Sequence, residues 1–168
     1  MSGHSRWSQI KHQKAITDKK KGQLFSKTSK LISLAAKKGT NPETNLELKN
    51  TIDKARSLNM PNDSIQRAIN KVSDKSAQLE ELSIEAMGPG GIALRIKAIT
   101  DNSNRTIAEV KKIFSDHNSK MVPPGSISWM FGQSIVIEDV RIESQIDELF
   151  ESLDNHDDVE DVTSNLKE

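Results

Sequence analysis

The chain has 168 residues, 34% hydrophobic and 29% charged, with 24 Lys/Arg balanced by 24 Asp/Glu and no cysteine. That length suits one ordinary domain or two small ones, and no apolar run approaches the roughly 20 residues needed to cross a bilayer. Without thiols there are no disulfides, thiolate metal sites or cysteine nucleophiles, and with no apolar leader at its start the chain is expected to be cytoplasmic.

The zero net charge conceals two halves of opposite sign. Residues 1–81 hold 16 Lys/Arg against 8 Asp/Glu and residues 82–168 hold 8 against 16, so the halves carry +8 and −8. Within the first 40 residues ten cations meet one acid, Asp18. The basic end is where a polyanion would be held.

In chain order, residues 10–21 are too poor in apolar groups to fold alone, although a helix with a charged outer face fits them if it docks elsewhere. Leu24, Phe25, Thr28, Leu31, Ile32 and Ala35 have the 3.6-residue spacing of a helix face over residues 23–38, stopped by Gly39. A second helix is predicted from Asn41-Pro42, with Leu48, Ile52, Ala55 and Leu58 on one stripe. A turn at Asn59-Met60-Pro61 leads to a third over 62–72, with Ile65, Ala68, Ile69 and Val72 inward. Residues 73–80 are polar and aperiodic, as a linker is. Beyond them the period changes. Leu82, Ile84 and Ala86 alternate with polar residues, Gly88-Pro89-Gly90-Gly91 forces a turn, and Ile92, Leu94, Ile96 and Ala98 alternate again, which predicts a hairpin. A helix over 104–117 follows, with Ile107, Val110, Ile113 and Phe114 inward, then a Pro-Pro-Gly turn, strands at 126–131 and 134–138, a helix capped by Ser144, and a closing strand at 159–166. The order β-β-α-β-β-α-β suggests a ferredoxin-like two-layer α/β sandwich over 79–168, after a three-helix bundle over 1–78: α plus α+β.

Cations and an indole are interleaved in Gly3-His4-Ser5-Arg6-Trp7-Ser8-Gln9-Ile10-Lys11-His12-Gln13-Lys14. Lys19, Lys20 and Lys21 follow, then Lys27 and Lys30. Cations release counterions from phosphates and an aromatic ring can stack on an unpaired base, so His4, Arg6, Trp7, Lys11, His12, Lys14 and these five lysines are the candidate nucleic-acid-binding residues. The competing reading is a solvated helix face, with Trp7 sealing the helical packing. Trp129 alternates with Ile127 and Phe131 and is expected in the core. His4, His12, His117 and His156 lack metal-ligand spacing, the Gly-Pro-Gly-Gly turn lacks the Gly-Lys-Ser/Thr ending of a phosphate loop, and no serine is supported by a nearby histidine and acid. His117 beside Asp116, and His156 beside Asp157 and Asp158, read as surface-loop neighbours. No catalytic residue, metal, cofactor or small-molecule substrate is expected.

Several motifs in the same order resemble the YebC/PmpR family: Gly3 through Lys14; Asn59-Met60-Pro61-Asn62-Asp63-Ser64-Ile65-Gln66-Arg67-Ala68-Ile69, similar to the family's helix-turn-helix segment; Met87-Gly88-Pro89-Gly90-Gly91; Thr100-Asp101-Asn102-Ser103-Asn104-Arg105-Thr106-Ile107-Ala108-Glu109-Val110; Gly125-Ser126-Ile127-Ser128-Trp129-Met130-Phe131; and Asn155-His156-Asp157-Asp158-Val159. Typical members are longer, with a third α/β domain inserted after the Trp-Met-Phe segment, so the chain resembles a shortened form. The resemblance implies a non-enzymatic protein that binds ribosomal RNA or the ribosome and assists elongation or relieves stalling; its alternative is a DNA-binding transcriptional regulator on duplex DNA. The translation reading comes first at this point, because no helix stands out as rich in base-reading Arg, Asn and Gln.

Overall fold

The structure, a computed structural model, describes residues 18–74 and 78–167. They fall into two compact units, one ending at Glu80 and the other beginning at Glu81.

The first unit contains helices α1 (Asp18–Ala36), α2 (Leu46–Ser57) and α3 (Asn62–Asn70), followed by a 3-10 turn at Lys71–Ser73. One apolar stripe from each helix enters a common core: Ile32, Ala35 and Ala36 from α1, Leu48, Ile52 and Ala55 from α2, Ile65, Ala68 and Ile69 from α3, with Met60 from the turn between the last two. Within this core the Ser33 hydroxyl is satisfied by donating to Ala68 O at 2.7 Å. The second helix starts later than Pro42 suggests. Asn41 builds an Asx turn, its side-chain oxygen accepting from Glu43 N at 2.9 Å, so residues 41–44 turn before helix can begin. Asn45 is the N-cap: its side-chain oxygen accepts from Leu48 N at 3.1 Å while its amide donates to Ala35 O and Gly39 O, both at 2.8 Å. One side chain thus closes the end of α1 and opens α2.

The second unit contains β1 (Glu80–Met87), β2 (Ala93–Thr100), α4 (Ser103–Asp116), β3 (Lys120–Val122), α5 (Val140–Asp154) and β4 (Val159–Ser164). The four strands form one sheet in the order β3-β1-β2-β4, with β3 antiparallel to β1 and β4 antiparallel to β2. Ile84, Ala86, Leu94 and Ile96 on one sheet face share a core with Val110 and Phe114 of α4 and Ile146, Leu149, Phe150 and Leu153 of α5. This is α+β architecture.

The ferredoxin-like expectation needs correction. That motif runs β-α-β-β-α-β, whereas the order here is β-β-α-β-α-β and the hairpin pair occupies the centre of the sheet. Two misassigned strands account for the difference. The first, at 126–131, is instead a loop and a 3-10 turn, Ser128–Gly132; the second, at 134–138, is reduced to an isolated parallel bridge, Ile135 to Leu166. The third strand of the sheet is the short Lys120–Val122, too brief to announce itself by alternation. The last helix is capped by Asp139, whose carboxylate accepts from Arg141 N at 2.8 Å, and Ser144 lies inside it.

The hairpin turn requires its glycine. Gly90 sits at φ 68, and a Cβ there would meet Ile137 Cδ1 and Ile142 Cγ2, each at 2.8 Å. Gly90→Ala should therefore destabilise the second unit by about 1–3 kcal/mol, combining left-handed strain with overpacking. A urea titration that finds an unchanged midpoint would contradict this close packing.

Candidate nucleic-acid interface

Helix α1 buries Thr28, Ile32, Ser33, Ala35 and Ala36 on one side. At 100° per residue, Lys20, Gln23, Lys27 and Lys30 recur at i, i+3, i+7 and i+10 on the opposite side, each half-buried, with exposed Lys19 beside them. From Lys20 to Lys30 this stripe spans about 15 Å of helix axis. Lys21 falls in phase with Phe25 and Thr28 but lies before the buried residues, and it is exposed. Thus four of the five predicted lysines share a face and Lys21 flanks it. His4, Arg6, Trp7, Lys11, His12 and Lys14 lie outside the described residues.

The two cations that follow α1 also have partners within the unit. Lys38 Nζ pairs with Glu47 at 2.6 Å, and Lys37 Nζ donates to the carbonyl of Leu79. The first fastens the α1 end to α2 and the second fastens it to the chain leaving the unit.

In the second unit, two polar clusters converge that sequence neighbourhood did not reveal. The first centres on Asp158, which is buried rather than a surface-loop residue. Its Oδ2 accepts from Thr106 Oγ1 at 2.7 Å and from Arg105 Nη2 at 2.9 Å. Hydrogen bonding to Asp158, and secondarily to Asp101, raises the Arg105 pKa above its ordinary value and keeps the guanidinium charged. Nearby, His156 Nε2 meets Glu109 Oε2 at 2.8 Å while its Nδ1 accepts from Asp158 N at 3.1 Å, so the neutral ring carries its proton on Nε2, toward Glu109. Ligand-type atoms of Glu109, His156 and Asp158 lie within 4.8 Å of one another. The bonds already made explain the cluster as a fastening of α4 to the loop before β4, with a guanidinium where a metal ion would compete for the Asp158 carboxylate. His117 likewise serves packing between helices, its Nε2 lying 2.8 Å from Ser152 Oγ.

The second cluster holds the Pro-Pro-Gly loop. Glu85, buried on β1, pairs through Oε1 with Arg95 Nη2 at 2.9 Å and accepts from Gly125 N through Oε2 at 2.9 Å. The Arg95 guanidinium lies 4.4 Å from the Phe131 ring centroid. Asn165 completes the clamp, accepting from Ala93 N at 2.8 Å and donating to Met130 O at 3.3 Å. Held this way, the 3-10 turn buries Ile127 but leaves Trp129 67% exposed, which corrects the core position expected of that indole. No helix among the described residues is long and apolar enough to cross a membrane.

Comparison with known proteins gives two family matches in tandem. Residues 5–75 match the TACO1/YebC protein N-terminal domain and residues 79–143 the TACO1/YebC second and third domain. A "Probable transcriptional regulatory protein" of Dictyoglomus turgidum is 44% identical over 150 residues, covering 86% of this chain and 60% of that protein. One of Natranaerobius thermophilus, with the same name, is 47% identical over 140 residues, covering 82% and 56%. The chain thus spans about three-fifths of the length of the curated relatives it matches. The crystal structure of a conserved hypothetical protein, Aq1575 from Aquifex aeolicus, superimposes with a TM-score of 0.89 at 27% identity over 97% of each chain. With both parts matched in sequence and relatives above 40% identity over most of its length, the chain belongs to the TACO1/YebC family.

Proposed function

We propose that this chain is a non-enzymatic DNA-binding transcriptional regulator that grips the phosphate backbone of duplex DNA with the lysine face of α1. The observation that carries the reading is the stripe of Lys20, Lys27 and Lys30 opposite the buried face of the helix, with Lys19 alongside. A duplex presents about one negative charge per 1.7 Å of axis, so a row of lysines some 15 Å long can meet several phosphates at once. The relatives' printed name supports transcription as the process. It reverses the order suggested by the sequence, where binding of ribosomal RNA or the ribosome came first; that translation role is the second reading, since the same lysines fit RNA phosphates equally well. A cytoplasmic setting, the absence of a small-molecule substrate and a boundary near residue 78 between two independently folding parts belong to the same proposal.

The two readings separate in one experiment. The full chain is titrated with labelled duplex DNA and, in parallel, with purified ribosomes at the same low salt. Saturable binding to duplex is expected. Saturable binding to ribosomes with no binding to duplex would overturn the regulator reading and promote the translation one.

A further inference from the structure

We propose that an acidic stripe on α5 is the docking surface for a basic segment of this same chain, residues 4–17, which it withholds from nucleic acid until a polyanion competes. The docking stands by itself, whereas its effect on binding rests on the DNA-binding reading above. Helix α5 contains five acids and one cation, Arg141, and its last turn has no basic residue. Ile146, Leu149, Phe150 and Leu153 are committed to the core. Beside them Glu143, Asp147, Glu151 and Asp154 fall at i, i+4, i+8 and i+11 on one stripe, about 16 Å long. Each of the four is half-buried, while Glu148, on the same helix but off the stripe, is exposed.

Such a row is unfavourable unless cations cover it. Like charges at i, i+4 destabilise a helix, and Glu151 and Asp154 stand at its C-terminal end, where the macrodipole disfavours anions. None of the four acids is without a partner. Much of the unit's own basic charge is engaged with other acids: Arg95 with Glu85, Lys97 with Glu81, Arg105 with Asp101 and Asp158, and Lys112 with Asp116. From Glu138 onward the chain holds 12 acids against two cations, so neighbouring sequence cannot neutralise the stripe. The complementary charge is in residues 4–17, which carry Arg6, Lys11 and Lys14, two histidines and no acid. Trp7, Ile10 and Ile16 are too few apolar groups to fold that segment alone, so its order depends on a partner surface. Seventeen residues precede α1, an extended reach of roughly 55 Å. The same cations suit phosphates, so the acid stripe and a nucleic-acid backbone compete for them.

The test is trypsin cleavage after Arg6, Lys11 and Lys14 in the full chain at low salt, timed by mass spectrometry against a synthetic peptide of residues 1–17. Three chains are compared: the unaltered one, Asp147→Asn/Glu151→Gln on the stripe, and Asp116→Asn/Glu148→Gln, which makes the same change of charge off it. Each is checked for native helicity and melting. The unaltered chain and the off-stripe variant should be cut about 3–10-fold more slowly than the peptide, and the stripe variant at close to the peptide's rate. Raising salt to about 0.5 M should also bring the unaltered chain to the peptide's rate, which tests the docking without any substitution. The stripe variant should bind duplex DNA about 3–10-fold more tightly than the off-stripe variant. Cleavage of the unaltered chain at the peptide's rate, or protection that survives in the stripe variant, would sink the docking. Protection that grows with chain concentration would give the stripe to another copy's segment and overturn the assignment to its own. Equal duplex affinity of the two variants would remove the competition with nucleic acid. Absence of duplex binding by all three chains would remove the DNA reading, with the docking still decided by cleavage.

Discussion

Replacing Phe114 by Ala should melt residues 81–167 well before residues 18–80. Phe114 is 0% exposed and shares a core with Leu94 and Ile96 of the sheet and Leu149 and Leu153 of α5. Removing a buried phenyl ring costs about 3–5 kcal/mol, through lost transfer energy and the cavity left behind. For a unit of this size each kcal/mol moves the melting temperature by about 4–8 °C, so a drop on the order of 15–30 °C is expected for the second unit. The cores of the two units share no residue, so the transition of the helical unit should stay where it is. Calorimetry of the full chain measures this directly, and Phe114→Leu, which keeps most of the volume, should give a fraction of the shift. A single transition displaced as a whole by Phe114→Ala would mean that the two units unfold as one, against the proposed independence.

What the sequence revealed and what it hid divide along the range of the interactions responsible. The amphipathic faces of α1, α3, α4 and α5 were readable because Ile32 with Ala35, Ile65 with Ile69, Val110 with Phe114 and Ile146 with Leu149 and Phe150 repeat within single helices. Helix starts were less readable, because Asn41, Pro42 and Asn45 are all start-type residues, and Asn45 wins through bonds to Ala35 and Gly39 that belong to the preceding helix. The segment from Ile127 to Phe131 alternates like a strand, but a carboxylate 40 residues earlier, Glu85, takes the Gly125 amide and Arg95 covers Phe131, which favours the turn. The candidate interface divides in the same way. Lysine spacing on α1 is local and was legible. Contact between Glu109 and His156, 47 positions apart, leaves no trace in either neighbourhood.

Converting Lys19, Lys20, Lys21, Lys27 and Lys30 together to Ala should remove most of the salt dependence of nucleic-acid binding. Each phosphate neutralised contributes about −0.9 to the slope of log K against log salt on B-form DNA. Five lysines each meeting one phosphate give a slope near −4.5, so the unaltered chain should lose about 500-fold in affinity between 50 and 200 mM salt. The altered chain should bind far more weakly at 50 mM and lose little more on going to 200 mM. Folding should survive, because all five are exposed or half-buried outside the core of the helical unit, and surface substitutions of this kind usually cost under about 0.5 kcal/mol each. Ala also has the highest helix propensity, which helps α1 to persist. The decisive comparison is between subsets. Lys20→Ala/Lys27→Ala/Lys30→Ala removes the stripe and should flatten the slope by about 2.7, while Lys37→Ala/Lys38→Ala removes cations engaged with Leu79 and Glu47 and should leave the slope nearly unchanged. Equal slopes for the stripe variant and the unaltered chain would show the lysine face of α1 to be solvated surface and would place the polyanion grip elsewhere.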